Sequence, residues 1–135
     1  MRALRFVPVM LSIAFATAAA AGDFDGALPL TCAVAQGHDC LATKSSCDAT
    51  THEKGATSTV DIDFTKKQIR SPYKKALLPV HHTSTNNDSL VLQGGDLFVV
   101  WNALVDRKTG ALTITLADST AAYVYFGTCK VAGKH

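Results

Sequence analysis

The stretch FVVWNALVDRKTGALTITLADSTAAYVYFGTC, residues Phe98 to Cys129, holds three strand-like runs in succession. The runs Phe98–Val105, Ala111–Ala117 and Ala121–Phe126 are rich in β-branched and aromatic residues. Five residues ending in Gly110 separate the first two runs, which predicts a type I turn closed by a glycine at positive φ. The segment therefore predicts successive antiparallel hairpins.

The first 21 residues have the pattern of a signal peptide. Arg2 and Arg5 supply a positive amino-terminal region, and no charge interrupts the run from Phe6 to Ala21. Small residues at the end of the run predict cleavage after Ala21, which leaves residues 22–135 as a single domain. An uncleaved anchor is the alternative, but the run is shorter than the roughly 20 residues that a membrane helix needs. We expect a periplasmic or secreted protein with no membrane span after cleavage.

Loss of the signal peptide changes the charge balance. The full chain has 13 Lys and Arg against 11 Asp and Glu, and removal of Arg2 and Arg5 leaves 11 of each sign. A neutral mature chain gives no electrostatic reason to expect nucleic acid or an anionic membrane as the partner. The basic cluster formed by residues 66–70 and 74–75 reads as solvated turn and edge-strand residues, with a polyanion site as its alternative.

Four cysteines in an exported chain indicate two disulfides. Of the three possible connectivities we favour Cys40–Cys47, which closes a short polar loop, with Cys32–Cys129, which joins the first strand to the last. In the chain-entropy model a crosslink over nearly 100 residues contributes roughly 4–5 kcal/mol. A zinc site built from these cysteines and His38 is the alternative, although the spacing matches no usual C-x-x-C pattern.

The remaining chain alternates short strand-like runs with turn residues and contains no long amphipathic helix. Residues 57–64 alternate cleanly between apolar and polar, which is typical of a half-buried antiparallel strand. Residues 37–57 are expected to form a polar loop. The sequence thus predicts an all-β fold, a small antiparallel meander of about seven or eight strands closed as a barrel, with a sandwich as the alternative. The further predicted strands are Leu28–Ala35, Ile69–Ser71, Val80–Thr83 and Leu90–Gln93.

Several motifs together resemble a family of small, exported, uncharacterised bacterial proteins. These are PLTC near the mature amino terminus, the paired cysteines behind it, VDIDF, the tryptophan-led hairpin WNALVDRKTGALTIT and a final FGTC. The resemblance runs from about Phe24 to Cys129 and implies no activity and no assigned site. A fainter likeness is to periplasmic inhibitors of c-type lysozyme, which are also small barrels with a cysteine in the first and the last strand. Their inhibitory loop is not visible here, so that likeness concerns architecture alone.

No constellation in the sequence indicates catalysis, a cofactor or a metal. Asp61 and Asp63 share one strand face and are most simply a solvated face, with a pair of catalytic acids or a cation site as the alternatives. His81 and His82 are adjacent, so in a regular strand they point to opposite faces and cannot bind one metal together. A hydrolase that uses Asp61 or Asp63 with a histidine is the alternative function.

The remaining candidates point to binding. Trp101, the single tryptophan, is expected in the core, or on the floor of a cavity if the barrel encloses one. Tyr123 and Tyr125 share one face of the last strand, where they form either an exposed aromatic pair or a cap on the core. We therefore expect a β-barrel that binds a protein or a small apolar ligand. A structural envelope component is a third, weaker possibility.

Overall fold

A computed structural model describes residues 24–50, 58–71 and 75–133. The predicted signal peptide, residues 1–21, lies outside the described residues. The described part contains nine strands and no helix, so it has no helix that could cross a membrane. The strands are β1 (Leu30–Leu41), β2 (Asp48–Ala49), β3 (Thr59–Asp63), β4 (Gln68–Arg70), β5 (Leu77–Thr85), β6 (Ser89–Gly95), β7 (Val100–Asp106), β8 (Ala111–Ala117) and β9 (Ala121–Val131).

Eight of the strands form a closed antiparallel barrel. The sheet order is β2-β1-β3-β4-β5-β6-β7-β8-β9, and an additional pairing between β1 and β9 closes it. Strands β3 to β8 are each paired with the next strand along the chain, while the short β2 lies outside the closed ring, against β1. The prediction of an antiparallel meander closed as a barrel is therefore confirmed, and the sandwich alternative is wrong.

Period-two alternation decides which side chains enter the barrel. On β7 the buried residues Trp101, Ala103 and Val105 alternate with exposed ones, as the sequence pattern predicted. The register pairs them with the buried residues of β8, so that the two strands supply adjacent layers of one core. The residues that complete this inward row on β8 are Leu112, Ile114 and Leu116.

The first strand is longer than the sequence predicted. A polar loop was expected from residue 37, but β1 continues to Leu41, and residues 48–49 form β2. A bulge between Val34 and Gln36 shifts the register, after which β1 stays paired with β9 to its end. Gly37 makes this path possible, because a Cβ there would lie 2.7 Å from the ring of Tyr125. Residues 51–57 of the expected loop lie outside the described residues.

Both disulfides have the connectivity that the sequence analysis favoured. Cys32 and Cys129 are register partners on β1 and β9, with Cα atoms 3.8 Å apart, and both are buried in the core. Cys40 and Cys47 close the short loop beyond β1. A sulfur held in a disulfide is not a thiolate ligand, so the zinc alternative is wrong. Two disulfides are consistent with an oxidising compartment.

The turn between β7 and β8 explains its terminal glycine. Gly110 has a φ of 74°, and its amide donates to the carbonyl oxygen of Asp106 at 2.9 Å. The carboxylate of Asp106 accepts hydrogen bonds from the amides of Lys108 and Thr109, which fixes the middle of the turn. A Cβ on Gly110 would lie 2.6 Å from the carbonyl oxygen of Cys129. Conformation and space therefore both require glycine.

We predict that Gly110→Val lowers the free energy of unfolding by more than about 1 kcal/mol, because a β-branched residue is strongly disfavoured at this φ. Chemical denaturation measures the loss. Gly110→Ala and Gly133→Ala form a matched pair, since Gly133 has a φ of 81° but no atom within 4 Å of its Cβ position. Gly110→Ala should cost more than Gly133→Ala; equal losses would mean that the contact with Cys129 has no effect.

The two disulfides should contribute unequally. They span 97 and 7 residues, for which the chain-entropy model gives roughly 4.7 and 2.4 kcal/mol. We predict that Cys32→Ala with Cys129→Ala destabilises the barrel by several kcal/mol, and that Cys40→Ala with Cys47→Ala has a modest effect. Denaturant unfolding of both double variants measures this order. A reversed order would show that β1 and β9 stay joined without their crosslink.

Candidate functional site

Three connections in the barrel are built as the same four-residue turn. They are residues 86–89 (NNDS), 96–99 (DLFV) and 118–121 (DSTA). In each, the first side chain accepts hydrogen bonds from the amides of the third and fourth residues. The first amide also donates to the fourth carbonyl oxygen. An Asn or Asp side chain that caps its own turn in this way fixes the backbone whatever the two central residues are.

The central residues distinguish the 96–99 turn from the other two. Where those turns have Asn87-Asp88 and Ser119-Thr120, this one has Leu97 and Phe98, which are 94% and 81% exposed. Scattered apolar residues on a surface are ordinary, but two adjacent and almost fully exposed ones at a turn tip are not. Because the same turn forms with polar central residues, the apolar pair is not needed for the fold.

The turn of residues 96–99, which we call the rim loop, stands beside a cleft of about 250 Å³ at one end of the barrel. The loop after β4, the rim loop and the β8–β9 turn surround this cleft. Its apolar surface comes from both the core and the loops, and its two charged residues are both carboxylates. The lining residues are Ser71, Ala76, Leu78, Asp96, Phe98, Val99, Leu116 and Asp118.

Hydrogen bonds hold both carboxylates of the cleft in place. The amides of Phe98 and Val99 donate to Asp96 at 2.8 and 2.9 Å, and these bonds lower the pKa of Asp96 below its usual value. The carboxylate of Asp118 accepts from the amide and the hydroxyl of Thr120 at 2.7 and 2.8 Å. An apolar surface edged by two fixed acids suits an apolar group that lies next to a positive charge.

The three aromatic residues singled out from the sequence lie on the inner face of the barrel. Trp101 and Tyr125 are buried, and Tyr123 is partly buried against the core. The tyrosines therefore cap the core, and the alternative of an exposed aromatic pair is wrong. The Nε1 donor of Trp101 is buried and has no acceptor among the described residues. A ligand-contacting role for Trp101, Tyr123 and Tyr125 stays a prediction.

The acids and histidines of the alternative, hydrolytic function line different clefts. Asp61 and Asp63 line a cleft of about 170 Å³ on β3 and β4. Asp61 accepts a hydrogen bond from the hydroxyl of Thr31, and a carboxylate oxygen of Asp63 is 3.3 Å from the ammonium of Lys66. The pKa of Asp63 is lowered, chiefly because the backbone amide of Lys66 donates a hydrogen bond to its carboxylate. The ammonium of Lys66 lowers it further. These contacts agree with a solvated polar face.

His81 and His82 line one cleft together, contrary to the expectation that they point to opposite faces. A bulge between Val80 and His82 breaks the alternation of β5, which is the physical reason for the difference. Their cleft has about 420 Å³ and also includes Phe64 and Lys67. Within the described ranges, no group of three or more His, Cys, Asp or Glu side chains is arranged to hold a metal ion.

The sequence analysis missed the rim loop because it assigned Phe98 to the start of a strand. One signal was present. Leu97 and Phe98 are adjacent and apolar and follow a turn-forming Asp96. Neighbouring residues of a strand point to opposite faces, so at least one of two adjacent apolar residues at a strand end must face away from the core. That argument identifies an exposed apolar side chain without a structure.

We predict that the Asp96 carboxylate keeps the rim loop ordered. Asp96→Ala should speed amide hydrogen exchange at Phe98 and Val99, whereas Asp96→Asn, which retains an acceptor oxygen, should protect both amides. Because the folded pKa of Asp96 is lowered, its contribution is present above the unfolded pKa and is lost as pH falls through the folded pKa. Protection should therefore weaken in acid for the natural chain, because a neutral carboxyl oxygen accepts hydrogen bonds less strongly than a carboxylate, and should stay unchanged for Asp96→Asn, which has no titrating group. Equal exchange in both variants would contradict the capping role.

No protein-family model, curated protein or solved structure significantly matches this chain.

Proposed function

We propose that the protein is a periplasmic or secreted binding module whose rim loop and adjoining cleft engage a protein partner. The observation that carries this proposal is the exposure of Leu97 and Phe98 on a turn that is built twice elsewhere in the barrel with polar central residues. Two large apolar side chains that are exposed favour aggregation and do not stabilise the folded state. Their burial against a partner is the function that accounts for them.

The free energy of binding requires contacts from the cleft as well as from Leu97 and Phe98. Full burial of two large apolar side chains contributes roughly 3–6 kcal/mol, most of which the loss of translational and rotational freedom offsets. Leu97 and Phe98 alone therefore support only weak binding. The capped turn reduces the ordering cost, because the backbone at Phe98 and Val99 is already fixed by Asp96. The cleft supplies the remaining contact area.

The charges of the site favour a peptide segment that presents an apolar side chain beside a lysine or arginine. Asp96 and Asp118 line the cleft and repel an anionic membrane surface, which favours a protein over anionic lipid. A basic residue next to the inserted apolar group would meet both carboxylates. Small apolar ligands lack this second interaction.

The experiment is a selection of random peptides displayed on phage against the mature protein, followed by synthesis of an enriched peptide. We expect enriched peptides to combine Leu, Ile or Phe with a neighbouring Lys or Arg. Leu97→Ser with Phe98→Thr, which copies the central pair of the 118–121 turn, should weaken binding by about tenfold or more, or about 1.4 kcal/mol. Calorimetric titration with the synthetic peptide measures the affinity.

Leu104→Ser is the matched control, because it removes an exposed apolar side chain from the barrel wall and should leave peptide affinity unchanged. Asp96→Asn should weaken binding of the basic peptide while the turn stays capped. The proposal is contradicted if no peptide is enriched, or if an enriched peptide binds the Ser-Thr variant as tightly as the natural chain. Equal binding of a peptide whose basic residue is changed to Glu would remove the role of the carboxylates.

A further inference from the structure

Strand β5 is longer than its neighbour β4 and has a free edge beyond it. The short β4 pairs with residues 77–79 alone, and the amide of Val80 then donates to the carbonyl oxygen of Lys67 at 2.8 Å. After Val80, no strand in the described part of the chain pairs with the side of β5 that is opposite β6. We call the last five residues of β5, residues 81–85, the β5 edge.

Two residues of the β5 edge direct their backbone groups away from β6. The amide of Asn86 donates to the carbonyl oxygen of Ser89, which makes these two residues a hydrogen-bonded pair. The register is regular from this pair back to His82, and hydrogen-bonded pairs alternate with non-hydrogen-bonded pairs along an antiparallel ladder. Thr83 and Thr85 are in non-hydrogen-bonded pairs. Their amides and carbonyl oxygens therefore point out of the sheet edge.

The exposure of these two threonines shows that the barrel is open beside them. Thr83 and Thr85 are register partners of Leu92 and Leu90, so all four side chains lie on the same, inner face of the sheet. The leucines are buried, but both threonines are exposed, because the described chain has no strand beyond β5 at this level. The outward backbone groups of the threonines are accessible for the same reason.

The β5 edge borders the cleft of about 420 Å³ that His81 and His82 line. Thr83 is part of the same lining, and Phe64 and Val80 supply its apolar surface. The cleft shares no lining residue with the cleft beside the rim loop, so the two sites are separate. A strand added at the β5 edge would place its alternate side chains on the side of this cleft.

The charge of the cleft favours an acidic segment. Within residues 24–50, 58–71 and 75–133, Lys67 forms no ion pair, whereas the ammonium of the adjacent Lys66 is 3.3 Å from a carboxylate oxygen of Asp63. The described lining of the cleft contains no Asp or Glu. A carboxylate on an incoming segment would therefore give Lys67 the complementary charge that it lacks here.

We propose that the β5 edge binds an extended segment of a partner protein as an additional strand, with an Asp or Glu of that segment beside Lys67. The backbone of the segment pairs with the outward amides and carbonyl oxygens of Thr83 and Thr85. Lysine and proline protect many free edges from such pairing, and residues 81–85 contain neither. This site is independent of the rim loop.

Other occupants satisfy fewer of these groups. Lipids and nucleic acids do not present amide donors and carbonyl acceptors at the spacing of a strand. A second copy of this chain, paired through its own β5 edge, would satisfy the backbone groups. Residues 81–85 contain no acid, however, so this pairing would bring no carboxylate of the edge to Lys67. The partner that fits both the edge and the cleft is an extended acidic peptide.

A selection of random peptides displayed on phage tests this proposal. The target is the mature Ser-Thr variant of the rim loop, which lacks the apolar pair of the first site. We expect enriched peptides to alternate β-branched or aromatic residues with polar ones and to contain Asp or Glu. Binding of a synthetic copy, measured by calorimetric titration, should slow amide hydrogen exchange at Thr83 and Thr85.

Thr83→Pro and Thr83→Ala form a matched pair. Proline removes the outward amide of residue 83 without removing a hydrogen bond to β6, whereas alanine removes the side chain and keeps the amide. Thr83→Pro should weaken peptide binding by about tenfold or more, and Thr83→Ala should leave the affinity nearly unchanged. Far-UV circular dichroism checks that each variant is folded. If Thr83→Pro does not fold, methylation of alternate backbone nitrogens of the peptide tests the same hydrogen bonds.

Lys67→Gln should weaken binding of the acidic peptide by about threefold, because it removes the cation of an exposed ion pair. Lys66→Gln is its control, since Lys66 lines the other cleft with Asp63, and it should have no effect. Equal effects of the two variants would contradict the position of the acidic residue beside Lys67.

The proposal is overturned if the Ser-Thr variant enriches no peptide, or if neither Thr83→Pro nor peptide methylation weakens binding. Enrichment by the natural chain alone would leave the rim loop as the binding site and remove the β5 edge. Protection of the amides of Thr83 and Thr85 that rises with protein concentration, without peptide, would assign the edge to a second copy and would also overturn the proposal.

Discussion

The pairing of β1 with β9 is the interaction on which the rest of the structure depends. Every other pairing in the closed ring joins strands that follow one another along the described sheet, with only the small β2 interposed before β3. The β1–β9 pairing instead brings together cysteines 97 residues apart and runs along the whole of β1. Such a contact has the largest entropic cost of closure, and the buried disulfide lowers it by restricting the unfolded chain. Without it the meander would be an open sheet with two exposed edges.

Closure also determines where function can lie. Once the ring is closed, the inward side chains from β1 and β3 to β9 pack into one hydrophobic cluster, which includes Trp101 and Tyr125. The residues left to vary are on the outer wall and in the connections. The three turns of residues 86–89, 96–99 and 118–121 owe their shape to a capping Asn or Asp, so their central residues are under little structural constraint. Leu97 and Phe98 occupy such free positions. An exposed apolar pair there has no packing role, and the proposed binding role rests on this observation.

The sequence predicted those features that depend on local periodicity. β8 occupies Ala111–Ala117 as predicted, because strict alternation and flanking turn residues define both its ends. The prediction from the sequence was wrong where tertiary contacts overrode a local signal. Gln36 and Gly37 resemble a strand end, yet β1 continues because β9 supplies hydrogen bonds and Tyr125 covers Gly37. The bulge in β5 that unites His81 and His82 has no comparable signature. For the candidate site, the sequence identified Asp96 as a turn residue, but it did not predict the hydrogen bonds that Asp96 accepts or the exposure of Phe98.

A closed barrel can also carry an apolar outer wall with less risk than an open sheet. Aggregation through strands requires unpaired backbone donors and acceptors as well as apolar side chains, and β6 to β9 each have a paired strand on both sides. Contacts on the outer face of these strands can therefore be made only by side chains and cannot extend the sheet. The sheet edge that lies outside the ring belongs to β2, which is two residues long and begins at Asp48, paired with Lys44. The charge and the short length of β2 protect this edge from pairing with strands of other chains. The strands that carry the exposed Leu104 and Phe126 are paired on both sides and have no free edge.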